Sequence, residues 1–149
     1  MKKFSIGIVL AVLAALNGAS AQDCSKARNA TPQDIMKGES VALLNSMAAA
    51  CKSQVPENFF RLQTSSAQQI SARATDKAGL FKNYCEFTSE AIKTLGGGAN
   101  AGVHTIGPHK NKMKCGAPAS FWFIHTKDGT LALRLEVAVE SGSLKIDTH

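Results

Sequence analysis

Residues 119–147 read ASFWFIHTKDGTLALRLEVAVESGSLKID, and the alternation in this stretch decides the fold. From Ala119 onward apolar residues recur at every second position, the period of a half-buried strand. Asp128-Gly129 is a strong reversal signal, and Ser141-Gly142 marks a second one. A two-residue turn at Asp128-Gly129 pairs Lys127 with Thr130, Ile124 with Leu133 and Trp122 with Leu135, and sets His125 opposite Ala132. A turn at Ser141-Gly142 pairs Glu140 with Ser143, Val139 with Leu144 and Val137 with Ile146. Both registers put Trp122, Ile124, Leu131, Leu133, Leu135, Val137, Val139, Leu144 and Ile146 on one face. The other face then carries Phe121, Phe123, His125, Arg134, Glu136, Lys145 and Asp147. A slip of one residue would mix the two sets, so the register is well specified.

Upstream the period changes to that of a helix. Leu80, Phe81, Tyr84, Cys85, Thr88, Ala91, Ile92 and Leu95 form one stripe, which predicts a helix over Thr75–Leu95. Gly96-Gly97-Gly98 stops it. Thr31-Pro32-Gln33-Asp34 is a helix start, with Thr as N-cap and Pro at the first helical position. That helix runs through Ile35, Met36, Val41, Leu44, Met47, Ala48 and Cys51, with a weak point at Gly38. Val55-Pro56 interrupts it, and resumption at Pro56 places Phe59, Phe60 and Leu62 in the next turns. Thr64–Thr75 fits either a solvated helical extension or a loop, and Ala99–Pro118 is the least regular part. Helices first and an antiparallel meander last make an α+β domain, with N-terminal helices packed on a C-terminal sheet.

The run from Thr130 to Val139, a tight turn and then Leu144-Lys145-Ile146 resembles the closing strands of the nuclear-transport-factor-2-like and cystatin-like folds. The resemblance covers about the last 75 residues and implies a long helix, Thr75–Leu95, packed into a curved sheet. Such folds host isomerases, dehydratases, small-ligand binders and catalytically silent domains, so the resemblance implies no activity and carries over no catalytic residue.

The chain has 149 residues, 44% hydrophobic and 19% charged, with a formal net charge of +6 and one Trp and one Tyr. These figures exclude collagen, a coiled coil and a multi-span membrane protein. Met1-Lys2-Lys3, the apolar run Ile6–Leu16 and Ala19-Ser20-Ala21 follow the order of a secretory signal, predicted at residues 1–21. The apolar run is about half the length needed to span a bilayer, and Ala21-Gln22-Asp23-Cys24 is not a lipobox. Subtracting the 21 leader residues from 149 leaves one domain of 128, residues 22–149, exported to the periplasm or secreted. Its residual positive charge suits an acidic protein or surface partner and argues little for nucleic acid.

Cys24, Cys51, Cys85 and Cys115 all follow the leader, and an even count in an exported chain predicts two disulfides. Three connectivities are open. Cys24–Cys51 with Cys85–Cys115 is preferred, because it ties the N-terminal lead-in to a helix and a helix to the loop after it. No C-x-x-C pair is present, which disfavours zinc or redox chemistry.

Lys110, Lys112 and Lys114 alternate within a segment expected to be a solvated loop, where they offer contacts to an anion. His104 and His109 are weak metal candidates with no established ligand spacing, and no cofactor is implied. Phe121, Phe123, His125, Arg134 and Glu136 form the candidate ligand or partner surface. His125 with Glu136 would suit acid–base work on a concave, covered face. No G-x-S-x-G elbow occurs, and the glycine triplet lacks the residues of a phosphate loop. The expected function is a non-catalytic binding or accessory protein of the cell envelope. The alternatives are a small-molecule binder or enzyme with a pocket between helix and sheet, and an envelope metal-binding or stress-response protein.

Overall fold

Val137 pairs with Ile146 and Val139 with Leu144, while Trp122 pairs with Leu135 and Ile124 with Leu133. Both hairpins thus form in the registers that the alternation requires. The computed structural model describes residues 24–36 and 38–148, and the predicted leader lies outside them. In chain order come β1 (Ala27–Asn29), α1 (Pro32–Met36), α2 (Glu39–Ser53), α3 (Pro56–Phe60), α4 (Ser65–Arg73) and α5 (Lys77–Leu95). A short 3-10 turn follows, then β2 (Val103–Lys114), β3 (Ala117–His125), β4 (Leu131–Glu140) and β5 (Ser143–Ile146). Among the described residues the strands form one five-stranded sheet in the order β1-β4-β3-β2, with β5 also paired to β4. All these pairings are antiparallel, and the class is α+β. No helix among the described residues is long and apolar enough to cross a membrane.

The core forms where the helices meet the predicted apolar face. Trp122, Ile124, Leu133, Val137 and Ile146 from the sheet are fully buried, together with Leu44, Met47 and Phe59 from the helices. Helix α2 contributes Leu43, Leu44, Met47 and Ala50, and α5 contributes Thr88, Ala91 and Leu95. Burying each large apolar side chain stabilises the fold by roughly 1.5–3 kcal/mol. Leu131 is the exception, 50% exposed. A register shift after Ile124 pairs His125 with Leu131, not with Ala132 as the two-residue turn predicted. The loop is longer because Thr126 closes it: its N–H bonds Thr130 O at 2.8 Å, and its hydroxyl bonds the Asp128 carboxylate.

The helices start and stop for local reasons. Gly38 sits at φ 77°, a left-handed conformation that glycine adopts without penalty, and it divides the expected single helix into α1 and α2. Asp34 accepts from the Thr31 N–H at 2.7 Å, so the acid caps the entry to α1. The polar stretch after Thr64 resolves as helix: Thr64 caps α4 by accepting from the Ala67 N–H. Just before it, Ile146 N–H bonds Leu62 O and Thr64 N–H bonds Ile146 O, so this segment covers the free side of β5.

Two expectations are corrected. Ala99–Pro118 is mostly strand, not solvated loop: β2 pairs with β3 from Val103 to Pro108 and again at Met113 and Lys114, with a register shift between. Glycine, proline and the lysine run hid it, because they fall at the irregularity. The disulfides join Cys24 to Cys115 and Cys51 to Cys85, with Cα–Cα separations of 5.6 and 5.4 Å, so the preferred pairing was wrong. Nearness in sequence misled, because spatial neighbours decide. Helix α2 packs on α5, while Cys24 precedes β1, which pairs with β4 within the sheet, and Cys115 sits at the β2–β3 turn.

Candidate functional site

The sheet face turned away from the core carries a row of rings. His109 stacks on Phe121 with centroids 4.5 Å apart, Phe121 meets Phe123 edge-on at 5.8 Å, and Phe123 stacks on His125 at 6.3 Å. The Arg134 guanidinium lies 5.0 Å from the Phe121 ring centre, a cation–π contact. Strand alternation aligns Phe121, Phe123 and His125, and β4 sets Glu136 opposite Phe121 and Arg134 opposite Phe123. Gly107 makes room on β2: a Cβ there would come within 3.1 Å of the Phe123 ring. The rings are half-buried and Arg134 is exposed. The structure therefore brings Phe121, Phe123, His125 and Arg134 together as the sequence grouped them, and adds His109.

At the other end of this face the charges are paired, and the innermost pair is buried. Between Pro108–Ser120 and Met113–Pro118 the register shifts by three residues of β2, which brings Lys112 and Lys114 onto the ring-bearing face. Lys112 Nζ donates to Glu136 Oε2 at 2.9 Å. Lys114 Nζ donates to Asp147 Oδ2, with both side chains 1% exposed. Thr64 Oγ1 completes this cluster by donating to Asp147 Oδ1 at 2.5 Å. Two of the three lysines expected to meet an external anion thus serve internal carboxylates, and only Lys110 stays exposed. Glu136 Oε1 is buried with no hydrogen-bond partner.

His104 is a structural residue. Trp122 Nε1–H donates to its Nδ1 at 3.2 Å, and its Nε2 lies 2.9 Å from Ala99 O. The indole fixes the proton on Nε2, and both ring nitrogens are taken. His109 uses Nδ1 to accept from the Asn111 N–H at 3.0 Å. No group of three or more His, Cys, Asp or Glu side chains among the described residues is placed to hold a metal ion. His125 and Glu136 do not share a site either. Glu136 pairs with Phe121, four residues along β3 from His125, a separation of roughly 13 Å at the strand rise.

A cleft of about 380 Å³ opens between α5 and the edge of β4, lined by Leu80, Tyr84 and Phe87 on one side and Arg134, Leu135 and Glu136 on the other. Its size lies in the range of small-ligand sites. The Tyr84 hydroxyl donates to Thr148 O at 3.3 Å and accepts from Gln63 Nε2. Burial raises the pKa of this phenol, so it stays a neutral donor. Sequence reasoning placed Tyr84 and Leu80 in the core stripe and missed their second role. Phe87 was the available signal: it is an aromatic residue off the stripe, and it is 42% exposed. A wider and shallower concavity of about 740 Å³ lies along α5 beside Cys85 and carries none of the expected site residues.

Comparison with known protein families, curated proteins and solved structures returned no match.

Proposed function

We propose that this protein is an exported, non-catalytic binding module of the cell envelope that engages an acidic protein partner. The observation that carries this reading is the half-exposed row His109, Phe121, Phe123 and His125 beneath an exposed Arg134. Aromatic and arginine side chains dominate the energetics of protein interfaces, and here they are grouped on the face opposite the core. The leader pattern and the two disulfides support export. The distance between His125 and Glu136, and the pairing of Glu136 with Lys112, count against shared acid–base chemistry. A second reading, a small-ligand carrier, draws on the cleft beside α5.

Expression with the native leader, cell fractionation and N-terminal sequencing test export; a mature chain beginning at Gln22 outside the cytoplasm is the expected result. A photo-crosslinking residue at position 123 is expected to capture a partner from envelope extracts, and Arg134→Glu to abolish the capture. Equal capture from exposed Lys82 on α5 would refute the surface, as would no capture at all.

A further inference from the structure

The sheet has two open edges, and they are built differently. The β2 edge carries Pro108, which has no N–H to offer, then the register shift and Lys110. These are the usual protections against pairing with another chain. The corresponding stretch of β4, Leu131–Leu135, reads LALRL and has no proline and a single charge.

Among the described residues, the outward-facing side of its backbone is also unpaired. Asp147 N–H donates to Glu136 O at 2.9 Å, so the Glu136 main chain faces the β5 side. Alternation turns the Arg134 N–H and C=O the same way. The β5 ladder ends at Val137–Ile146, and no described group bonds the Arg134 backbone on that side. Helix α5 stands opposite, with Leu80, Tyr84 and Phe87 forming the far wall of the cleft. A strand edge facing a helix across an apolar groove is the geometry that accepts an added strand.

Three further features specify the occupant. Arg134 makes no ion pair among the described residues, so it can receive a carboxylate. Glu136 beside it is only 9% exposed and already paired with Lys112, so Arg134 is the charge that the cleft presents. The Leu80, Tyr84 and Phe87 wall takes an apolar side chain.

We propose that the cleft binds an extended peptide segment of the partner, which adds a short strand to β4 at Arg134. That segment places an acidic residue at the arginine and an apolar residue against α5. The proposal rests on the binding reading above for the partner being a protein, but it centres contact on the edge and cleft, which share only Phe121, Arg134 and Glu136 with the ring-bearing face.

The disulfide-bonded chain, residues 22–149, is used throughout. Amide hydrogen exchange in the free protein is expected to show Arg134 exchanging fast while Leu133 and Leu135 are protected; a protected Arg134 overturns the proposal. Selection from a random heptapeptide display library is expected to enrich sequences alternating Asp or Glu with an apolar residue. Synthetic copies of the enriched peptides should then slow Arg134 exchange by about tenfold or more. Phe87→Ala and Arg134→Glu, both at exposed side chains, should each weaken these peptides about tenfold or more, the charge reversal also shifting selection toward Lys. Peptides that instead perturb Phe123 and His109 refute the edge and leave the surface reading intact. No enrichment, with fragment-sized apolar acids perturbing Tyr84 and Phe87, overturns the peptide in favour of a small ligand.

Discussion

Adjacent residues of β3 face two different environments. Trp122 lies at 0% exposure within the hydrophobic core, with its indole N–H held by His104. Phe123, one residue on, leans across Gly107 between Phe121 and His125 with solvent beyond. The core face is stabilised by apolar area and close packing, and its residues are interchangeable only by shape. The ring-bearing face is graded: it runs from the buried Lys114–Asp147 pair, through Lys112–Glu136, to Arg134, which has no ion pair among the described residues. Stability therefore concentrates at one end of that face and accessibility at the other.

Substitutions at the extremes break this contrast most directly. Trp122→Ala should cost about 3–5 kcal/mol, and Phe123→Ala under about 1.5 kcal/mol, both read by urea denaturation. Equal costs would mean that the two faces are equally packed. Asp147→Ala should also cost about 3–5 kcal/mol, because it leaves Lys114 buried without a counter-charge. Combining Lys114→Met with Asp147→Leu should recover most of that loss. A double variant as unstable as the single one would show that shape, not charge, holds this corner.

The Cys51–Cys85 bridge closes a separation of 34 residues. Replacing both by Ser should cost up to about 4 kcal/mol from loop-closure entropy, lowering the melting temperature without changing capture at position 123. The smallest effect concerns acid. Arg28 hydrogen bonds hold Asp34 down to about 2, well below its ordinary value, with the Thr31 N–H and hydroxyl assisting. The contribution is present above the unfolded carboxylate value near 4 and is lost as pH falls through about 2. Arg28 is 56% exposed, so solvent screening keeps the contribution under about 1 kcal/mol. Asp34→Asn should flatten the stability profile of the chain over that window, measured by denaturation at stepped pH.

The hairpins were legible because turn residues and alternation both constrain β3, β4 and β5. The helices α2 and α5 were legible from their stripes. Strand β2 was not, since its signal is split by Pro108 and by three residues of register shift, so neither half keeps a clean period. Of the site, Phe121, Phe123, His125 and Arg134 were found by face. The inward turn of Lys112 and Lys114 was hidden because it depends on which strand lies alongside. The cleft was hidden for a similar reason: its far wall comes from a helix more than thirty residues earlier, and no local pattern says which strand edge that helix will overhang.

The bridge between Cys24 and Cys115 spans 91 residues, and this has a bearing on synthesis. A chain made from its N-terminus presents Cys24 long before Cys115 exists, and Cys51 is the first thiol that Cys24 can meet. Disulfides rearrange only through thiolate attack, so an early Cys24–Cys51 bond would have to be undone before α2 could be joined to α5. Correct maturation thus favours late oxidation or an exchange catalyst, and the leading cysteine is the last to find its place.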